Sequence, residues 1–106
     1  MRIGFFITAR LKSTRLKKKI LVDLEGVSVL GHVIQSAKQV DGVDEVVVCT
    51  STVAQDRPIV DVCCKHGCQY FKGSPDDVLN RLLSAATYFE CDYLLHITAY
   101  NPLFSF

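Results

Sequence analysis

Two kinds of apolar pattern alternate along the chain. Four short runs are apolar at nearly every position, which is typical of strands covered on both faces. Three longer segments have apolar residues at helical spacing, which predicts amphipathic helices. The predicted strands lie near residues 2–8, 43–49, 68–71 and 92–98, and the predicted helices at about 28–39, 57–66 and 75–89. This alternation predicts an α/β fold with a parallel sheet and right-handed connections.

The ends of the predicted helices have residues that commonly start or stop a helix. Ser28 and Asp56 are expected to cap the first two helices, and Gly67 to follow the second as a left-handed residue. Ser74 is expected to cap the third helix, with Pro75 at its first helical position. The boundaries are therefore predicted from cap residues as well as from periodicity.

The apolar faces of two helices predict which side chains contact the sheet. On the first helix the apolar stripe consists of Val29, Leu30, Val33, Ile34 and Ala37. On the third helix it consists of Val78, Leu79, Leu82, Leu83 and Ala86. His32 is off the first stripe and is expected to face solvent, and Arg81 is expected on the polar side of the third helix.

Length, composition and charge place the chain among small globular domains. Its 106 residues are 49% hydrophobic, which suffices for one domain with its own core. No stretch approaches the roughly 18 apolar residues that a membrane helix needs, and the first apolar run is too short for a secretory signal. A net charge of +1 argues against a dedicated nucleic-acid binder. We therefore expect no membrane or nucleic-acid partner and a cytoplasmic location.

The cysteines bear on the redox compartment and on metal binding. Three of them surround His66 and could be metal ligands, but they do not fit paired C-x-x-C zinc spacing. The expected state is reduced, buried thiols that act as small hydrophobic groups in a reducing cytoplasm. The five cysteines are Cys49, Cys63, Cys64, Cys68 and Cys91.

A basic loop follows the first predicted strand and holds half of the chain's positive charge. Residues 9–19 contain six of the 12 Lys and Arg residues, which leaves six basic residues against 11 acidic ones elsewhere. A loop at the carboxyl end of a parallel strand faces the crevice where α/β proteins bind ligands. Its cations, with the hydroxyls of Ser13 and Thr14, suit a polyanion such as a nucleoside triphosphate. A solvated basic loop or a nucleic-acid patch would have the same composition.

The basic loop resembles the A-R-x-G-S-T-R-L-P-G-K loop of the cytidylyltransferases that activate acidic sugars. Its matching residues are Arg10, Ser13, Thr14, Arg15, Leu16 and Lys19. Three later segments resemble family motifs in the same order: residues 43–51 (V-D-E-I-V-V-A-T-S), 72–81 (R-G-S-x-x-D-V-L-x-R) and 98–103 (T-G-D-N-P-L). The most similar groups are the CMP-KDO synthetases, the acylneuraminate cytidylyltransferases and the spore coat polysaccharide biosynthesis protein F type.

The resemblance implies a fold, a reaction and a set of site residues. The fold is the N-terminal half of a three-layer Rossmann-like parallel sheet of the nucleotide-diphospho-sugar transferase type, with residues 1–106 as one nucleotide-binding domain truncated after its fourth strand. The reaction is transfer of CMP from CTP to an acidic sugar, with release of pyrophosphate, in surface polysaccharide synthesis; in the family, magnesium accompanies CTP. The implied catalytic residues are Arg10, Arg15 and Lys19. The implied nucleotide-binding residues are Ala9, Arg10, Ser13, Thr14, Arg15, Lys19, Lys72 and Arg81.

Several positions depart from the family pattern. Tyr100 stands where the family has the Asp that binds magnesium, and a phenol is a poor ligand for this cation, which puts magnesium in doubt here. Lys12 and residues 17–18 replace glycines and a proline of the basic loop, and Ala99 replaces a glycine. His96 lies where the family tends to have Arg. No metal ligand is therefore expected at Tyr100.

Three interpretations stay open. The chain is a cytidylyltransferase or the N-terminal half of one, or it is a degenerate relative that binds nucleotide without catalysis. The third alternative is a small α/β interaction domain of the response-regulator type, but no cluster of Asp residues follows the first strand as that type would need. The identity of the sugar acid and the oligomeric state, with a homodimer as one alternative, also stay open.

Overall fold

A parallel sheet covered by three helices forms the protein in a computed structural model that describes residues 1–11 and 19–99. In chain order the elements are β1 (Ile3–Thr8), a 3-10 helix (Lys19–Leu21), β2 (Asp23–Leu24), β3 (Val27–Ser28), α1 (Val29–Ala37), β4 (Glu45–Ser51), a 3-10 helix (Ala54–Asp56), α2 (Arg57–Lys65), β5 (Gln69–Gly73), α3 (Val78–Tyr88) and β6 (Tyr93–Thr98). The four predicted strands and three predicted helices are all present, which confirms the α/β prediction.

The main sheet has the strand order β5-β4-β1-β6, and all three neighbouring pairs are parallel. From β1 the chain moves outward to β4 and then to β5. It then returns through α3 to place β6 on the opposite side of β1. The order therefore reverses between β1 and β6, and open α/β sheets bind their ligands at such a switch point.

Helices cover both faces of the sheet, which confirms the predicted three layers. One core contains apolar residues of α1 and α2 against one face of β1 and β4, and the second contains residues of α3 against the other face. Successive strand residues point to opposite faces. Phe5 and Ile7 of β1 therefore belong to the first core, and Phe6 belongs to the second. Burial on both faces explains why these strands are apolar throughout.

A short antiparallel hairpin joins the basic loop to α1 and was not predicted as a pair of strands. Asp23 pairs with Ser28 and Leu24 with Val27, and positive φ values of 56° at Glu25 and 88° at Gly26 form the turn. Two-residue strands are too short to produce an alternating apolar pattern, so periodicity had no signal there.

The observed helix caps match the predicted ones at the start of α1 and the end of α2, but not at the start of α3. Ser28 Oγ accepts a hydrogen bond from Gly31 N at 3.0 Å, and Gly67 has a φ of 62°, as predicted. The third helix begins at Val78 and not at the predicted Pro75, because Asp77 is its cap and accepts from the Asn80 amide at 2.9 Å. Ser74 instead accepts from the Asp77 amide at 3.1 Å and shapes the preceding turn.

The predicted apolar face of α3 was partly wrong. Leu82 is buried, as predicted, but Val78, Leu79 and Leu83 are 43%, 65% and 54% exposed. Arg81, which was expected on the polar side, is 2% exposed and faces inward. The helix is therefore rotated about its axis from the orientation that periodicity alone predicts, with Arg81 as part of the face towards the sheet.

Two smaller expectations also need correction. His32 is half-buried on α1 and not fully solvent-facing. Cys64 is exposed and Cys91 half-buried, whereas Cys49, Cys63 and Cys68 are buried, and all five cysteines are free thiols. Burial raises the pKa of Cys49 to about 12, so this thiol is protonated and unreactive. Within the described ranges, no helix is long and apolar enough to cross a membrane.

The orientation of α3 predicts different costs for two equivalent truncations. Leu82→Ala removes a side chain that is 6% exposed from the second core and should lower the free energy of unfolding by about 2–5 kcal/mol. Leu79→Ala on the same helix removes a side chain that is 65% exposed and should change it by less than about 0.5 kcal/mol. Urea unfolding followed by circular dichroism measures both. Equal losses would show that the orientation of α3 is wrong.

Candidate functional site

The carboxyl ends of the four parallel strands form one edge of the sheet, here called the carboxyl edge. It consists of the last residue of each strand and the residues that follow it: Thr8, Ser51, Gly73 and Thr98 are these last residues. Backbone hydrogen bonds continue one residue beyond the strands. Ala9 N donates to Cys49 O at 3.1 Å, and Ala99 N donates to Thr8 O at 2.9 Å. The Ala9 side chain is 2% exposed and belongs to the first core. The basic loop therefore leaves the sheet from an anchored position.

Asp56 holds the first residues of the basic loop. Its Oδ2 atom accepts from Arg10 Nε at 2.5 Å and from Ser51 Oγ at 2.5 Å, and its Oδ1 atom accepts from Leu11 N at 2.7 Å. The neighbouring Gln55 Nε2 donates to Leu11 O at 3.2 Å. Asp56 is 1% exposed, so these donors replace the water that a carboxylate needs.

This role of Asp56 differs from the role that the sequence predicted. Asp56 does precede α2 and Pro58 lies in the first turn, but the Asp56 side chain makes no capping hydrogen bond. Sequence reasoning could not identify its true partners, because Arg10 and Leu11 are more than 40 positions away. The only local signal was Ser51, five residues earlier and at the end of a predicted strand.

Two arginines converge on the turn between β5 and α3. Arg81 Nη1 donates to Ser74 O at 2.8 Å and lies 3.5 Å from Pro75 O. Arg10 Nη1 also donates to Pro75 O, so one carbonyl links both guanidinium groups. Arg10 therefore connects the exit of β1 to the start of α2 and to this turn.

The carboxyl edge has more positive than negative buried charge. Among the described residues, Arg10 pairs with the carboxylate of Asp56, whose side chain is fully buried beside an Arg10 side chain that is 11% exposed. Asp56 acts on Arg81 through its charge, without an ion pair between the two side chains. Burial, followed by the nearby Arg10, lowers the pKa of Arg81 below its ordinary value. Both effects mean that an additional anion would stabilise the charged guanidinium groups.

Two buried polar atoms have no hydrogen-bond partner within the part of the chain that the structure describes. They are Arg81 Nε and Thr50 Oγ1. Buried polar atoms are nearly always paired in folded proteins. Both belong to residues next to the carboxyl edge, since Thr50 is the penultimate residue of β4 and Arg81 holds the turn after β5.

The structure locates part of the set of predicted site residues. Ala9, Arg10 and Arg81 lie at the carboxyl edge, and Lys72 is an exposed residue of β5 in register with Thr50. The backbone of Lys19 begins the first 3-10 helix. Ser13, Thr14 and Arg15, together with Tyr100, lie outside the described residues, and their predicted roles stay predictions.

The described residues do not fit a magnesium site. Within residues 1–11 and 19–99, no cluster of three or more His, Cys, Asp or Glu side chains could hold a metal ion. Both oxygens of Asp56 already accept hydrogen bonds, and Asp77 caps α3. Magnesium prefers carboxylate and water oxygens that are free to coordinate it.

The strand order of the sheet, the helices on both of its faces and the switch point between β1 and β6 define a Rossmann-like α/β domain. Comparison with known proteins then places the chain in a family: the model of the cytidylyltransferase family matches residues 5–105. The chain belongs to this family, as its basic loop and later motifs predicted.

Two curated relatives illustrate this membership. The chain is 34% identical over 107 residues to the 3-deoxy-manno-octulosonate cytidylyltransferase of Chlorobium chlorochromatii, with 99% of this chain and 42% of the relative covered. It is also 34% identical over 104 residues to the spore coat polysaccharide biosynthesis protein SpsF of Bacillus subtilis, with 94% and 43% covered. The chain therefore spans less than half the length of these relatives.

Two solved structures have the same fold. A cytidylyltransferase from Leptospira borgpetersenii superposes with a TM-score of 0.87 at 31% identity, over 93% of this chain and 42% of the other. The CMP:2-keto-3-deoxy-manno-octonic acid synthetase solved in complex with CTP superposes with a TM-score of 0.74 at 26% identity, over 93% and 40%. The resemblance of the fold to the N-terminal half of these enzymes is thereby confirmed.

The contacts of Asp56 predict a large stability cost for an isosteric change. Asp56→Asn leaves the Arg10 guanidinium without its anionic partner and should lower the free energy of unfolding by about 3 kcal/mol. Asp61→Asn changes an exposed carboxylate on α2 and should have an effect below about 0.5 kcal/mol. Denaturant titration compares the two variants with the parent. A loss at Asp56 no larger than that at Asp61 would contradict the buried ion pair.

Proposed function

We propose that the protein transfers CMP from CTP to an acidic sugar and that this chain binds the CTP. The observation that carries the proposal is the position of the basic loop, which begins at the switch point of a cytidylyltransferase fold. Its residue Arg10 and the nearby Arg81 hold their guanidinium groups at this point. The names of its relatives support this substrate class, since one is a 3-deoxy-manno-octulosonate cytidylyltransferase and a structural neighbour was solved with CTP.

The proposed reaction is a single displacement at phosphorus. A hydroxyl oxygen of the sugar acid forms a bond to the α-phosphorus of CTP, the bond from that phosphorus to the bridging oxygen breaks, and pyrophosphate leaves with its electron pair. The hydroxyl proton passes to solvent or to a neighbouring base. Such transfer depends mainly on holding the triphosphate in place and on neutralising its charge.

The residues divide into two roles under this proposal. Arg15 and Lys19 bind the triphosphate by charge, and Ser13 and Thr14 donate hydrogen bonds to its oxygens. Arg10 fixes the start of the loop through Asp56 and adds positive charge at the carboxyl edge. Arg81 holds the turn after β5 in the same way, and the exposed Lys72 extends the positive surface along β5.

A second candidate function is nucleotide binding without transfer. It is favoured by Tyr100, which replaces the carboxylate of the related T-G-D-N-P-L motif, and by the poor fit of the described residues to magnesium. Release of pyrophosphate from CTP in the presence of an acidic sugar separates the two candidates. Release above the level without sugar supports transfer, whereas CTP binding without any release supports the second candidate.

Arg15 gives the cleanest test of the loop, because Arg10 also stabilises the fold. Arg15→Ala removes a charge-assisted contact to phosphate, which contributes about 1.5–3 kcal/mol, and should weaken CTP binding at least about tenfold. The matched control is Lys17→Ala, which removes one positive charge from the same loop at a position where the family has no cation. Isothermal titration with CTP measures both affinities. Equal affinities in the parent and the Arg15 variant would remove the loop from the site.

Tyr100 predicts how binding responds to magnesium. A phenol with a reference pKa near 10 offers no negative charge to a cation at neutral pH. CTP affinity of the parent chain should therefore be nearly the same with magnesium and with a chelator. Tyr100→Asp should make the affinity depend on magnesium, and Tyr100→Asn is the neutral control. Chelator-sensitive binding in the parent would show that another group holds the metal.

A further inference from the structure

His96 projects from β6 beside the switch point. Leu94, two residues earlier on the strand, packs in the core on the α3 side, so His96 points to that same face. Its Nε2 atom lies 3.0 Å from Thr8 Oγ1 on the neighbouring strand β1. The imidazole is nevertheless exposed, two residues before the end of β6. It is thus held in place and open to solvent at the carboxyl edge.

The hydrogen bond from Thr8 is compatible with both charge states of His96. With neutral imidazole, the Thr8 hydroxyl can donate to Nε2. With imidazolium, Nε2 donates to the hydroxyl, which then turns towards Ile97 O at 3.5 Å. Protonation therefore costs His96 no hydrogen bond. Within the described ranges, the structure shows no partner for the other ring nitrogen, Nδ1.

Among the described residues, the charged group that acts on the His96 imidazole is the cation of Arg81. Burial and then the positive charge of Arg81 on α3 lower the pKa of His96 from 6.5. From β1 it meets the neutral Thr8. Without a ligand His96 is therefore mostly neutral near pH 7, and an anion between it and Arg81 would reverse the effect of that arginine.

We propose that His96 is a contact residue for an oxyanion of the ligand and that it takes up a proton from the buffer when this anion binds. The inference rests on the proposed function and deepens it. The oxyanion is a phosphate of the nucleotide or the carboxylate of the sugar acid, since both offer oxygen atoms to an Nδ1–H donor. His96 would thus set the pH range in which the ligand is held.

The sign of the pH dependence follows from this exchange. Binding raises the pKa of His96 above its ligand-free value, so the His96 contribution to affinity is complete below that ligand-free value. It is lost as the pH rises through the pKa of the complex. Because a charge-assisted hydrogen bond contributes about 1.5 kcal/mol or more, the affinity should fall about tenfold across this range.

The test measures the number of protons taken up per bound ligand. Isothermal titration at about pH 7 in two buffers of different ionisation enthalpy gives this number. The parent chain should take up a larger fraction of a proton per ligand than His96→Gln, whose amide keeps a hydrogen bond to Thr8. His32→Gln, on α1 at the opposite face of the sheet, is the matched control and should behave as the parent does. Equal thermal unfolding of the variants shows that the fold is intact.

Two ligand arms identify the anion. The first adds CTP to the free chain, and the second adds 3-deoxy-manno-octulosonate to the chain saturated with CTP. Proton uptake that depends on His96 in the first arm assigns the phosphate, and in the second arm the carboxylate. His96→Arg, which is charged at every pH used, should bind the same ligand without this uptake.

The outcomes separate this inference from the proposed function. CTP binding with equal proton uptake in the parent and in His96→Gln, in both arms, overturns the role of His96 and leaves the proposed function intact. Absence of CTP binding to the folded parent overturns both. Because the terminal phosphate of CTP titrates near pH 6, only the difference between parent and variant is interpreted.

Discussion

The carboxylate of Asp56 is the interaction on which the geometry of the carboxyl edge depends. It lies at the start of α2, is 1% exposed, and accepts hydrogen bonds from Arg10, Leu11 and Ser51. A buried carboxylate is tolerated only with such partners. It therefore holds the end of β1, the end of β4 and the start of α2 together, and it determines the direction in which the basic loop leaves the sheet.

Arg81, on α3 at the other face of the sheet, also takes part in the polar contacts of the carboxyl edge. This guanidinium is turned inward by the carbonyls of Ser74 and Pro75, and Pro75 also accepts from Arg10. In the observed orientation of α3, Arg81 and Leu82 face the sheet and Leu79 is exposed. The inward orientation of Arg81 on α3 and the positive charge at the carboxyl edge therefore involve the same backbone acceptors, the carbonyls of Ser74 and Pro75.

Although the net charge of the chain is only +1, two of its arginine side chains, Arg10 and Arg81, lie together at one edge of the sheet. The guanidinium groups of Arg10 and Arg81 meet there at the Pro75 carbonyl, Asp56 pairs with Arg10, and the basic loop starts from the same edge. Anions bind where cations are already desolvated and held, because little reorganisation is then needed. This physical property is what connects a cytidylyltransferase fold to a triphosphate ligand under the proposed function.

The sequence by itself determined the parallel α/β fold, the three layers and the family, because buried strands, amphipathic helices and loop motifs are written in local patterns. It also named Arg10 and Arg81 as site residues. Only the tertiary structure decided that Arg81 faces inward, that Asp56 binds the basic loop and does not cap α2, and that His96 meets Thr8. These contacts join residues far apart in the chain, and a periodic pattern carries no information about which distant donor will reach a given acceptor.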